Sequence, residues 1–205
     1  MKERISELSE LQISALKEIV NIGVGHAVTS LSKMISKEVK IDVPELKVEL
    51  IEKVPEVAGG ADTVVSGVIM EVTGDIDGYI MMMLTEESTR MICKIITNCT
   101  ESDDIFEPIN QSLIEEVGHI LARSYVSSLS DFLGLDFKIS TPMQTFDMLG
   151  AIIDHILIEM SKKAEHALLF DTMFTIENNK MDGVFLTLLE PDSMEVILER
   201  INMMI

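Results

Sequence analysis

The feature that most constrains this chain is that it repeats itself. Displaced by about 98 positions, the first half falls onto the second. Ser14 meets Ser112, Glu18 meets Glu116, Ile22 meets Ile120 and Val28 meets Val126. "SLS" at Ser30 to Ser32 meets "SLS" at Ser128 to Ser130, and Lys40, Ile41 and Pro44 meet Lys138, Ile139 and Pro142. At a slightly longer offset, "DGYIMMMLTEES" from Asp77 aligns with "DGVFLTLLEPDS" from Asp182. A loop of different length between the two blocks accounts for the change of offset. The 205 residues are therefore read as one domain, 1–205, made of two pseudo-repeats at about 10–98 and 108–203.

Each repeat predicts the same series of elements. A long amphipathic helix comes first, with Ile13, Leu16, Val20, Val24, Ala27, Leu31 and Met34 recurring at three- and four-residue steps. A short strand is expected near Val39 to Val43. Two strands, "VVSGVIMEV" and "GYIMMMLT", then flank a polar turn at Thr73 to Asp77 as a hairpin. A closing helix starts near Glu86, with Glu87 and Ser88 suited to its first turn, and runs to about Ile96. "TESDDIFEP", ending at Pro108, is the predicted linker. The fold class that follows is α+β, an α/β sandwich whose two pseudo-symmetric helix-plus-antiparallel-strand halves share one sheet. The continuously apolar "IMMML" reads as a strand buried on both faces.

The repeats differ after the first strand. The front half has a short loop containing "VPEVAGGAD", whereas the back half carries "DMLGAIIDHILIEMSKKAEH", an extra helix over about Met148 to Lys162. That helix suits a docking surface or packing on its own core, and periodicity leaves both open.

Composition removes several function classes. A net charge of −19 opposes a nucleic-acid or anionic-membrane partner and favours a more basic protein. No apolar run reaches transmembrane length, and "MKERISELSE" is too polar for a secretory signal, so a cytoplasmic setting is expected. Cys93 and Cys99 are read as a reduced pair. No metal, nucleotide or serine-hydrolase motif is present, and His26, His119, His155 and His166 are scattered. No metal site of the chain's own is expected.

One stripe is not explained by a core. On a helix of ~3.6 residues per turn, Ser14, Glu18, Asn21 and Gly25 fall within about 60° of one another, away from the apolar side. A carboxylate can grip a cation, and a carboxamide can both donate to and accept from a water molecule. Neither is a strong nucleophile, so the pair suits orienting water towards an electrophile held by another molecule. Gly23 and Gly25 each weaken the helix by roughly 1 kcal/mol relative to alanine.

At these residues the chain resembles the CheC family of chemotaxis phosphatases, which includes CheX and part of the flagellar switch protein FliY. The resemblance rests on Ser14-x-x-x-Glu18-x-x-Asn21 with Ile22, Gly23 and Gly25, and on Ser112-x-x-x-Glu116-x-x-His119 followed by "SYVSSLSDFLG". It implies hydrolysis of the aspartyl-phosphate of a CheY-type response regulator. Glu18 would pair with a regulator lysine and Asn21 would orient the attacking water. Ser14 and Gly25 would support the first site. Mg²⁺ would sit on the partner, so no cofactor of the chain's own is implied. The second site, Ser112, Glu116 and His119, departs from the pattern: His119 replaces the asparagine and Arg123 stands where Gly25 does. It is expected to be degenerate, with Arg123 free to pair with a neighbouring glutamate. The resemblance also implies an alternative, a non-catalytic partner of a CheD-type receptor deamidase through Met148 to Lys162 or of a phosphorylated regulator. A structural role in a flagellar switch is the third.

Overall fold

The computed structural model describes residues 9–97, 104–159 and 166–204. The first helix, α1 (Glu10–Ile35), opens on a capping box. The Ser9 amide donates to Gln12 Oε1 at 2.8 Å, and Ser9 Oγ accepts from the Gln12 amide at 3.2 Å. β1 (Val39–Leu50) follows, then a 3-10 turn at Ile51–Lys53 and the one-turn α2 (Val54–Val57). β2 (Val64–Gly74) and β3 (Gly78–Thr85) form a hairpin closed by α3 (Glu86–Thr97). The second half repeats the order: α4 (Pro108–Leu133), β4 (Phe137–Ile139), β5 (Met143–Met148), α5 (Leu149–Glu159), β6 (His166–Ile176), β7 (Asn179–Leu189) and α6 (Pro191–Asn202).

The seven strands form one antiparallel sheet in the order β1-β6-β7-β3-β2-β4, with β5 also on β2. Exchanging each strand for its counterpart in the other half reverses this order and leaves it unchanged, so a pseudo-twofold axis passes between β3 and β7. The duplication is therefore visible as the symmetry of the sheet. Each half supplies one edge, and each edge is interrupted at the matching proline. Register shifts between Asp42 and Glu45, around Pro44, and β4 and β5 are separated at the residues around Pro142. Proline has no N–H to give a ladder, which confines it to such edges.

Both sheet faces are covered. Alternate residues Ile80, Met82 and Leu84 of β3 join a core with α1, α3, α4 and α6, while Met81 and Met83 join a second core with α2 and α5. All five are buried, as the unbroken apolar run requires.

Several boundaries differ from expectation. β1 runs to Leu50, far beyond Val43, because the sheet partner β6 is long enough to pair with all of it. The front-half loop forms the 3-10 turn and α2, anchored by the buried Ile51 and Val54. Pro108 opens α4 at its first position, where its missing N–H is no loss, and so belongs to the helix instead of the linker. Met34, expected in the apolar stripe, is 39% exposed at the end of α1. Cys93 is buried and free, whereas Cys99 and the residues of the linker up to 103 lie outside the described residues.

Candidate functional site on the first helix

The inner side of α1 fixes how its outer side is presented. Leu16, Ile19, Val20, Gly23, Ala27 and Leu31 are buried. Gln12, also buried, donates from Nε2 to Asn202 Oδ1 at 3.0 Å and ties the start of α1 to α6. Gly23 lies at the crossing with α4. A Cβ there would stand 3.0 Å from Tyr125 Cα and 3.3 Å from Ser124 O, so the helices approach this closely only with glycine.

With those positions committed to the core, Ser14, Glu18, Asn21 and Gly25 all face solvent. Among the described residues, neither Glu18 nor Asn21 makes a side-chain hydrogen bond or ion pair. Both functional groups are available to another molecule. A Cβ on Gly25 would meet nothing within 4 Å, so this glycine answers no packing demand inside the chain. One turn on, Thr29 Oγ1 donates to the Gly25 carbonyl at 3.0 Å and Ser30 Oγ to the His26 carbonyl at 3.0 Å. The site is a helix face and not a cleft. A small apolar cavity lies on the opposite side of α1, lined by Val20, Gly23, Tyr125 and Phe185 among others.

The second copy lies on α4. Ser112, Glu116 and Arg123 are exposed and His119 is half-buried. His119 Nδ1 lies 3.9 Å from Glu116 Oε2, a contact with no counterpart on α1. Arg123 was expected to pair with a glutamate. Among the described residues it makes no ion pair.

The extra helix α5 is mostly core: Leu149, Ile152, Ile153 and Ile156 are buried against the second face of the sheet. Met148 (46% exposed) and Ile158 (64% exposed) remain outside. Residues 160–162 of the expected helix lie outside the described residues. Also among those described, no group of three or more His, Cys, Asp or Glu could hold a metal, and no helix is long and apolar enough to cross a membrane.

Sequence reasoning passed over Gln12 and gave Gly23 no packing role, and both residues shape the site. Gly23 and Gln12 both sit at the phase of the buried stripe set by Leu16 and Ile19, and that phase was the available signal. It also missed that Leu11 and Ile22 are large apolar residues left exposed beside the polar stripe.

The architecture defined by these observations is a duplicated α/β sandwich that displays a polar pair on the first helix of one half and an altered pair on the other. The sequence pattern of the CheC-like family matches residues 11–48, which span α1 and most of β1. Over 178 residues the chain is 29% identical to the CheY-P phosphatase CheC of Bacillus subtilis (strain 168), covering 85% of each chain. The crystal structure of Thermotoga maritima FliY superposes with a TM-score of 0.73 at 20% identity, covering 95% of this chain and 98% of that one. A chain of the CheX-CheY-BeF3-Mg²⁺ complex from Borrelia burgdorferi matches with a TM-score of 0.50 at 20% identity, over 85% and 98%. The chain is thus similar to the CheC-like family over its first helix and strand, and to a CheY-P phosphatase over most of its length, and it shares its fold with FliY.

Proposed function

We propose that the protein is a phosphatase of an aspartyl-phosphorylated, CheY-type response regulator in chemotaxis signalling, acting through Glu18 and Asn21 of α1. The observation that carries this is the pairing of two exposed, unpartnered side chains with an open glycine one turn on, in a chain 29% identical to a CheY-P phosphatase. An acyl phosphate is already an activated electrophile, so the protein needs to supply position and charge more than covalent chemistry. Glu18 anchors a cation beside the regulator's phosphoryl group. Asn21 accepts from the attacking water through Oδ1 or donates to it through Nδ2 and aims its oxygen in line with the P–O bond to the aspartate. That bond breaks, the carboxylate leaves and inorganic phosphate departs. Gly25 keeps the helix surface low where the regulator's loops approach, and Ser14 lies at the edge of the contact. Mg²⁺ belongs to the regulator.

The test is loss of aspartyl-phosphate from the Mg²⁺-loaded cognate regulator. Wild type is expected to accelerate it, Asn21→Ala to remove the acceleration while binding persists, and Glu18→Ala to weaken both. Full acceleration by Asn21→Ala would reject the site.

A second reading, a partner of a CheD-type receptor deamidase through α5, is favoured by one observation. On α5, Ile158 stays exposed along with Asp154 and His155 while Leu149, Ile152, Ile153 and Ile156 are buried, and Met148, the last residue of β5, is exposed just before the helix. Loss of deamidase binding on Ile158→Asp would support it.

A further inference from the structure

Apart from the polar stripe of α1, a cavity of about 120 Å³ lies between the start of α4, α3 and the strand pair β2–β5. That size admits several waters or one small polar group. Its lining is unlike the rest of the interior. Ser66 and Thr89 are polar and fully buried, and Gln111, Glu115 and Gln144 join them. Phe106 and Phe146 complete the wall, with ring centroids 5.0 Å apart and planes at 85°. Phe106 is 53% exposed, so the cavity is reached from solvent past its ring.

These groups have hydrogen-bonding capacity that the chain does not use. β2 and β5 pair Val68 with Gln144 and Ser66 with Phe146, which puts all four on the face of the sheet that packs on α4. Gln144 donates from Nε2 to Ser66 Oγ at 3.3 Å. Its Oε1 is buried and accepts no hydrogen bond. Such an oxygen is costly to leave unmatched. Glu115, half-buried on α4, makes no hydrogen bond or ion pair among the described residues. The site lacks a donor, and the carboxylate calls for a cationic one. The aromatic rings narrow the choice further. A guanidinium is planar, carries five N–H donors and no acceptor, and stacks on aromatic faces, whereas an ammonium is a compact and strongly hydrated charge.

We propose that this cavity binds a guanidinium group. Glu115 is its counter-ion, Gln144 Oε1 accepts a further N–H, and the ring of Phe106 lies against its plane. The group is carried by a small molecule or by an arginine of a basic protein, a partner that a net charge of −19 suits. The site belongs to one half only, because the α1 positions matching Gln111 and Glu115 are Ile13 and Lys17, where the charge is reversed. It stands independently of the phosphatase reading.

The test is titration of the full chain with methylguanidine, free arginine, N-acetylarginine amide and methylurea, the neutral counterpart of the first, followed through backbone amide shifts by NMR. Saturable shifts centred on Ile105, Phe106 and Gln144 are expected with methylguanidine and not with methylurea. Glu115→Gln is expected to weaken that binding at least about tenfold. Gln144→Leu should also weaken it while leaving the melting temperature unchanged or higher, since the unmatched oxygen leaves with the amide. Free arginine that binds as tightly as methylguanidine supports a small-molecule ligand. Binding of methylguanidine and N-acetylarginine amide, but not of free arginine, supports a protein side chain. No saturable shift with any guanidinium compound, equal binding of methylurea, or undiminished binding by Glu115→Gln overturns the proposal.

Discussion

The two long helices α1 and α4 have 26 residues each and lie on the same side of the sheet; their inner faces have stayed mainly apolar, while their outer faces keep the serine and the glutamate and differ beyond them. Leu16 and Ile114, Ile19 and Val117, and Leu31 and Leu129 are matched buried pairs. Where the inner faces differ, the difference is complementary: Gly23 of α1 leaves room for the backbone at Tyr125 of α4. Close packing holds such positions tightly because a methylene too many or too few is felt at once. The outer faces carry no such constraint, so the change from Asn21 to His119 and from Gly25 to Arg123 was not forced by the core. It has to be understood through what the faces meet outside the chain.

A second pair of regions teaches the same from the other side of the sheet. α2 and α5 occupy matching places in the two halves, but α2 has one turn and α5 eleven residues. Here the added length is largely core. Ile153→Ala on α5 is expected to destabilise the protein by about 2–5 kcal/mol through the cavity it leaves. Ile158→Ala, on the exposed side, is expected to stay within about 0.5 kcal/mol. Equal, small effects in chemical denaturation would break the assignment of α5 to the core.

The two glycines of α1 give the sharpest contrast over the shortest distance. Gly23→Ala is expected to cost about 1–3 kcal/mol, since the α1–α4 crossing must open to admit a methyl group. Gly25→Ala meets nothing and is expected to stabilise the helix by up to about 1 kcal/mol while lowering hydrolysis of the regulator's phosphate. Thermal unfolding and the hydrolysis assay together read both signs. A Gly25→Ala protein that is more stable and fully active would remove the functional account of that glycine.

A last expected effect is confined to alkaline solution. Burial pushes the Cys93 thiol from its ordinary value near 9.0 up to about 11. Between those values the folded state keeps a proton that the unfolded chain has released, so stability falls as pH rises from about 9 to about 11. Cys93→Ala is expected to flatten that decline in denaturant midpoints, and an unchanged decline would place the buried thiol outside the effect.

Much of this was legible in the sequence, for identifiable reasons. The duplication was legible because Ser14, Glu18, Lys40 and Pro44 recur at one offset as Ser112, Glu116, Lys138 and Pro142, whereas the interruption of both edge strands at those prolines is a feature of the fold. The Ser14-Glu18-Asn21-Gly25 stripe was legible through helical phase alone. What was not legible depended on partners distant in the chain. The length of β1 is set by β6, and the meaning of Gly23 is set by Tyr125, about a hundred residues away. A period-based reading sees that a residue faces inward but not what it meets there. The exposure of Leu11 and Ile22 escaped because the reading followed only the residues of the apolar stripe and gave these two no place.

The most direct test of the contrast between the two helices is the rate of aspartyl-phosphate loss from the Mg²⁺-loaded regulator with Asn21→Ala and His119→Ala side by side. Acceleration abolished by Asn21→Ala and retained by His119→Ala is the predicted result. Acceleration that survives Asn21→Ala and disappears with His119→Ala would contradict it, and would move the working site from α1 to α4.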